Sequence, residues 1–312
     1  MKIIVLGGCG YIGSVLVEKL LKKNYKVLVI DTKWFGNYLK KNKNLRVIKC
    51  DIRNLNKISF RGYNKIIHLA NIANDPAADL DPNLSWEINV LSTHQIIYKA
   101  IDEGIEQFIF SSSGSVYGIK KENKVTEDLQ PEPISIYNKT KMIAERVLLS
   151  FSDKINLQII RPATVCGISP RMRLDLTVNL LTMQAITKKQ ITVLGGKQKR
   201  PNIHIQDLTD VFIYFLESKI KNGIYNVGFE NLSILKIAKI IKNKIPSKIR
   251  IKKSNDIRSY NIDSSKLIMT GYKPKFSIED AICQIRDDFL KKKFLIKKEW
   301  YSVNWLKKIK VI

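Results

Sequence analysis

The chain of 312 residues predicts an α/β fold, a doubly wound parallel sheet joined to a smaller mixed α/β region. Three observations carry that prediction. Short β-branched runs alternate with amphipathic stretches through the first half of the sequence. Those runs are apolar almost throughout, as strands buried on both faces are, instead of alternating apolar and polar. Beyond about residue 165 the rhythm loosens, although strand-like and helix-like segments continue.

In chain order, KIIVLG reads as the first strand, and SVLVEKLLKK carries apolar residues at helical spacing behind a glycine turn. KVLVID, LRVIKCD and KIIHLA follow as strands, NVLSTHQIIYKAIDEG as a helix, and QFIFSSS and LQIIRPA as strands. Strands separated by crossover helices lie parallel in one sheet. Further on, DLTVNLLTMQAITKK, QDLTDVFIYFLESK, SILKIAKIIKNKI and SIEDAICQIRDDFLKKK read as helices, and ITVLGG and IYNVGF as strands. The expected division is 1–165 for the sheet domain and 166–312 for the smaller region, with a segment near 203–230 returning to the first. No internal repeat or low-complexity linker separates the two.

Composition narrows the function. Lys and Arg number 54 against 28 Asp and Glu, a net charge of +26. The basic residues are mostly lysine, mixed with Ile and Asn along the whole length. A general lysine bias therefore explains them better than a nucleic-acid-binding patch. The densest basic stretch, KKKFLIKKEWYSVNWLKKIKVI, reads as a solvated, partly packed tail. No apolar stretch approaches the ~20 residues of a membrane-spanning helix. Cys9, Cys50, Cys166 and Cys283 are scattered, with no C-x-x-C pair and no clustered histidines. That pattern points to free thiols in a reducing cytosol and to no metal site.

Local chemistry starts at VLGGCGYIGSVLVEKL. Gly7, Gly10 and Gly13 are spaced G-x-x-G-x-x-G between a strand and a helix. Glycines there let the backbone approach a pyrophosphate, whose charge rests on the helix N-terminus, as in the Rossmann form of the doubly wound sheet. About twenty residues on, the second strand ends at Asp31, where a carboxylate binds an adenosine ribose. A 2′-phosphate would meet a like charge at Asp31, so NAD is expected over NADP, with Lys33 nearby moderating the preference. Asp51 and Ile52, at the end of the third strand, are placed to touch the adenine. His68, in KIIHLAN, reads as a satisfied residue at a buried strand end.

YNKTK sets Tyr137 one helical turn ahead of Lys141, on the same face. Bringing a tyrosine pKa from ~10 to ~7 takes about 4 kcal/mol. One positive charge ~5 Å away, at an effective dielectric of ~20, supplies roughly 3 kcal/mol. The Lys141 ammonium and an oxidised nicotinamide ring together therefore suffice to make Tyr137 a base for an alcohol proton. Lys141 is expected to hold the nicotinamide ribose as well, and Tyr137 to contact the cofactor beside it. Upstream, FIFSSSGSVYG offers Ser113 to donate to the substrate oxygen, Ser115 to assist and Tyr117 to line the pocket.

GGCGYIGS, Asp31, DIR, HLAN, SSSGSVYG and YNKTK, in this order and spacing, resemble the extended short-chain dehydrogenase/reductase family that acts on nucleotide sugars. The resemblance covers almost the whole chain. It implies Ser113, Tyr137 and Lys141 as the catalytic set. Tyr11, Ile12 and Ala70 join the glycines, Asp31, Asp51 and Ile52 on the cofactor, and Asn89 supports the site. RPATVCG resembles an R-P-x-x-V-Y-G turn, with Cys166 in place of the usual tyrosine and Thr164 near the substrate. Asn179 matches a position that contacts the nucleotide diphosphate. Arg200 and Arg258 match phosphate-binding arginines, and SPRMRLDL adds Arg171 and Arg173 to the expected diphosphate clamp. That last motif is similar to a subgroup in surface-polysaccharide sugar pathways. Relatives that act as 4,6-dehydratases carry an Asp-Glu pair where this chain has Gly114 and Ser115, which disfavours dehydration.

The resemblance implies a cytoplasmic NAD-dependent nucleotide-sugar C4 epimerase working through a transient 4-keto sugar, as a UDP-glucose 4-epimerase does. A homodimer is expected by the same likeness. The alternative is net redox, as a 4-dehydrogenase or 4-keto reductase on a GDP-heptose or dTDP-hexose. A more remote one is a dinucleotide-sensing or nucleic-acid-binding protein on the same fold.

Overall fold

The structure, a computed structural model, describes residues 1–220, 222–254, 259–292 and 295–309. Seven parallel strands form the large sheet: β1 (Lys2–Leu6), β2 (Lys26–Asp31), β3 (Leu45–Lys49), β4 (Lys65–His68), β5 (Gln107–Ser111), β6 (Asn156–Pro162) and, after three strands of smaller sheets, β10 (Gly223–Val227). Their order is β10-β6-β5-β4-β1-β2-β3. The direction of winding reverses at β1, between β2 and β4, and ligands of doubly wound sheets bind at the strand ends beside such a reversal.

Alternation along each central strand feeds both faces. Ile3, Val5, Val29, Ile67 and Ile109 point into one core, against α1 (Tyr11–Lys22) and α7 (Ile205–Glu217). Ile4, Leu6, Ile30, Ile66, Phe108 and Phe110 point into the other, against α4 (Ser92–Asp102) and α5 (Ile136–Leu149). Between β4 and α4 lie the short helices α2 (Asp75–Ala78) and α3 (Pro82–Trp86), with a π-helical stretch over Glu87–Leu91.

The remaining elements extend the first core. β7 (Thr164–Cys166), β9 (Lys199–His204) and β11 (Glu230–Ser233) make a mixed three-stranded sheet, and β8 (Gln190–Leu194) pairs in parallel with β12 (Lys248–Lys252). Helices α6 (Thr177–Lys188), α8 (Ile234–Lys244), α9 (Ser265–Met269) and α10 (Ile278–Leu290) accompany them. Val178, Leu181, Ile237, Ile241, Ile282 and Ile285 belong to the same hydrophobic cluster as Val5 and Val29, so this region packs directly on the sheet domain.

The basic tail is partly packed. Within α11 (Ser302–Ile309) Leu306 is buried, and Trp305 Nε1 donates to the Trp34 carbonyl at 2.6 Å. The four cysteines are free thiols. Among the described residues no helix is long and apolar enough to cross a membrane.

One buried ion pair fixes α5 on the sheet. Glu145 and Arg161 are each 2% exposed and meet through three contacts, Nη2 to Oε2 at 2.6 Å and Nε to Oε1 at 3.1 Å and to Oε2 at 3.2 Å. Ser112 also donates to Glu145, and Arg161 Nη1 donates to the Tyr117 hydroxyl at 2.7 Å. Removing one partner of such a pair strands the other charge in low dielectric. Replacing Glu145 with Gln is expected to lower stability by about 3–5 kcal/mol, read as a fall in the urea midpoint with the slope unchanged.

Candidate active site

The candidate site is the edge of the sheet at the carboxyl ends of β1, β2, β4 and β5, beside the reversal of winding. At its floor the chain leaves β1 through Gly7, whose φ is +81°, and a Cβ there would sit 2.6 Å from the Ala70 nitrogen after β4. A Cβ on Gly13 would meet the Gly7 carbonyl at 2.5 Å and Gly8 Cα at 2.6 Å. Only glycine lets α1 start this close to the strand. Gly10 is the N-cap and no side chain caps the helix, nor does its first turn, with Tyr11, Ile12 and Gly13, hold an acid. Orphan amides and the positive end of the helix dipole are thereby presented to an anion.

Asp31, at the end of β2, accepts from the Cys9 amide at 3.0 Å and the Lys33 amide at 2.6 Å. Burial raises its pKa against those two bonds and the charges of Arg171 and Lys33. Two backbone donors leave a carboxylate with lone pairs to spare for ribose hydroxyls. A tight backbone cradle, uncapped helical amides and an acceptor at the second strand end fit the dinucleotide expected from the sequence. Asp51 lies two residues past β3 and is paired with Arg53, Nη2 to Oδ2 at 3.0 Å, while Ile52 is buried beside it.

The opposite wall is α5. Ser135 caps it, accepting from the Asn138 amide at 3.2 Å, and fixes the first turn that carries Tyr137. Lys141 is 3% exposed, its Nζ donating to the Ser111 carbonyl at 2.6 Å and lying 4.6 Å from the centre of the Phe110 ring. Burial lowers its pKa to about 7, against the opposing charge of Glu145. Tyr137 is partly buried, and desolvation pushes its phenol up to about 12. The Ser113 hydroxyl and the Arg173 charge act against that rise, whereas Asp75 and Tyr260 add to it. Ser113 shares a 2.7 Å bond with Ser115, whose hydroxyl donates to Asn138 Oδ1 at 2.6 Å.

Asn89 is a support. Its side chain accepts from the Ile72 amide at 2.9 Å and donates to Thr140 Oγ1 at 3.0 Å, tying the π-helical stretch to α5. His68 is buried, with Nε2 3.0 Å from Thr93 Oγ1 and a pKa lowered to about 3 by burial, so it is a neutral structural residue.

Two expected substrate contacts need correction. Tyr117 is fully buried and does not line the cleft. Its ring lies 4.7 Å under the Arg161 guanidinium, and its hydroxyl donates to Asn226 Oδ1 at 2.8 Å. Asn179 is also fully buried, and both ends of its amide are spent internally. Oδ1 accepts from the Gly167 amide at 3.0 Å, and Nδ2 donates to the Tyr11 hydroxyl at 3.1 Å and the Arg173 carbonyl at 2.9 Å. Asn179 therefore braces the turn over the glycine loop instead of offering itself to a diphosphate.

Thr164 stands half-buried on β7 and Arg200 half-buried on β9. Arg258 falls outside the described residues. Arg171 and Arg173 have partners within the chain. Arg171 is buried against the Phe35 ring at 4.0 Å and bonded to Ser302 Oγ at 3.1 Å, while Arg173 pairs with Asp175. No local sequence signal marks this placement, because loop 167–175 is positioned by long-range bonds such as Tyr11 hydroxyl to Gly167 carbonyl at 2.8 Å.

Known proteins place the chain. It is 28% identical to the UDP-glucose 4-epimerase of Lactobacillus helveticus, over 90% of this chain and 95% of that protein. It is 26% identical to a putative UDP-glucose 4-epimerase of Methanocaldococcus jannaschii, over 91% and 96%. The solved UDP-glucose 4-epimerase of Thermotoga maritima, with UDP-glucose, superposes with a TM-score of 0.85 at 25% identity, covering 94% of this chain and all of that one. The UDP-glucuronic acid 4-epimerase of Bacillus cereus, in complex with UDP-glucuronic acid and NAD, gives 0.80 at 28% identity with the same coverage of this chain. The sequence profile of one family matches residues 3–228, from the first strand to just past β10, and the chain belongs to that family, the NAD dependent epimerase/dehydratase family.

Proposed function

We propose that the protein is an NAD-dependent nucleotide-sugar C4 epimerase of the UDP-glucose 4-epimerase type, working through a transient 4-keto sugar. What supports this reading is that Lys141 Nζ reaches the carbonyl of Ser111, the last residue of β5 and two before Ser113, from the helix face that also carries Tyr137. Its relatives named as UDP-sugar 4-epimerases span nearly their whole length with this chain.

Bound NAD supplies a reversible hydride acceptor for carbon 4 of the sugar. The protein manages the proton and the geometry. Ser113 donates to the C4 oxygen, and Tyr137 takes the hydroxyl proton as the carbonyl forms, then returns it to the same oxygen when the sugar is reduced on its other face. Lys141 holds a charge that varies near neutral pH, because burial has brought its pKa to about 7. At 114–115 the chain has Gly and a Ser bonded to Asn138, so no carboxylate stands there to remove a proton from carbon 5. That favours epimerisation over elimination. Arg200 is the arginine we assign to the diphosphate, with Thr164 beside the sugar. Leu91 (59% exposed) and Tyr98 (65% exposed) offer an apolar face for the expected homodimer, and we place the enzyme in the cytoplasm.

Incubation with a panel of UDP-, GDP- and dTDP-sugars tests the reaction. The expected result is C4 isomer formation without NADH accumulation, whereas stoichiometric NADH would select net dehydrogenation. Tyr137→Phe is expected to lower kcat by about 10²–10⁴ while leaving NAD binding intact, measured by isomer formation and dinucleotide titration.

A further inference from the structure

Three polar side chains form a hydrogen-bonded row, Ser113, Ser115 and Asn138, and the last of them has no task in the reaction as described. Asn138 follows Tyr137 in the first turn of α5 and is fully buried. Its backbone N–H donates to the Ser135 cap at 3.2 Å, so the residue is fixed at the main chain. Its side chain meets the 114–117 turn, where Oδ1 accepts from Ser115 Oγ at 2.6 Å. Ser115 Oγ lies 2.7 Å from Ser113 Oγ, and the Ser115 amide donates to Ser113 Oγ at 3.2 Å. Nδ2 of Asn138 is out of water and has no partner. Buried amide donors are nearly always bonded, so an orphan one calls for an explanation.

A hydroxyl has one proton to give. While Asn138 presents Oδ1, Ser115 spends its proton on that oxygen, and the short Ser113–Ser115 contact is then made with the proton of Ser113. Ser113 is left with nothing to donate to a sugar. A half-turn of the planar amide exchanges its two ends within the same space. Nδ2 then donates to Ser115, Ser115 to Ser113 and Ser113 to the sugar oxygen, and the orphan donor gains its acceptor. We propose that Asn138 is a positioning residue, its amide deciding by its orientation whether Ser113 keeps its proton for the oxygen at carbon 4. The proposal rests on the reading of Ser113 as the donor to that oxygen. Donors aimed at an oxygen whose charge changes in the reaction work best when their direction is set in advance. Gly114, between the two serines, is closed off by Ile262, against which a Cβ would clash. The turn has little room to shift, and the amide is the part of the row that can reverse.

The test is steady-state kinetics of the NAD-loaded enzyme on whichever nucleotide sugar it turns over, followed as isomer or as NADH. Asn138→Asp keeps the shape but, ionised, offers only acceptors, so the Ser115 proton stays turned away from Ser113. Its kcat should fall by about 10²-fold with KM little changed. Asn138→Ala releases the Ser115 proton to Ser113 and should cost less than Asn138→Asp. Ser115→Ala removes the hydroxyl that competes for the Ser113 proton and should cost several-fold. The double variant decides. Asn138→Asp combined with Ser115→Ala should return to the rate of Ser115→Ala alone, because nothing is left to take the Ser113 proton. Damage from packing or from a buried charge would persist, so a double variant as slow as Asn138→Asp overturns the proposal. If Asn138→Asp fails to fold, the side-chain amide resonances of wild type carrying isotopically labelled asparagine replace it, assigned by their absence in Asn138→Ala. Their proton signals should move downfield on saturation with the sugar, and unmoved signals overturn the proposal. A wild type that turns over no sugar removes the functional reading and the proposal together, whereas turnover without rescue in the double variant removes the role of Asn138 alone.

Discussion

The pairing of Glu145 with Arg161 governs where the chemistry sits. Both residues are out of water, and their remaining bonds go to Ser112 on the sheet side and to Tyr117. Glu145 lies one turn beyond Lys141 and two beyond Tyr137 on the same face of α5, so a bond farther along that face sets the helix's rotation and height against β5 and β6. A half-turn error would face both groups away from the cleft. Placement of this quality is what acid–base catalysis needs from its scaffold, since proton transfer requires heavy atoms at hydrogen-bond distance.

The same burial that fixes α5 drives both titrating groups toward neutrality. Desolvation lowers the Lys141 pKa and raises that of Tyr137, because it penalises whichever form is charged. A lysine charge acting on the phenol through a surface-like dielectric is the expectation from sequence. In the folded protein burial lowers the Lys141 pKa to about 7, and its Nζ donates to a backbone carbonyl.

What the sequence made legible was local. The strand–glycine–helix unit, Asp31 at a strand end and the Tyr-Lys spacing each depend on residues within a few turns, and the structure sets them around one cleft. The large sheet was legible because its strands are apolar on both faces. β7 and β11 were not, being three and four residues long and partly polar. Tyr117 and Asn179 were misread for a different reason. The Tyr117 hydroxyl is satisfied by Arg161 and Asn226, 44 and 109 positions away, and Asn179 by Tyr11, 168 positions away. A polar residue in a motif looks the same in sequence whether its partner is a ligand or a distant part of the chain.

Those distant bonds also constrain how the cleft works. Tyr11, inside the glycine turn, donates to Gly167, accepts from Asn179 and offers its carbonyl to Ser169 Oγ at 2.7 Å. Ser169 is also 2.9 Å from Ser14 on α1. Swinging α6 away from α1 would break several buried hydrogen bonds at once, each leaving an unsatisfied group at a cost of about 1–3 kcal/mol. The wall over the cofactor is thus built to stay closed. For a reaction that must turn its keto intermediate over between two hydride transfers, such a wall keeps the dinucleotide still. The side nearer β7 and β9 is more open, with Thr164 and Arg200 only half-buried.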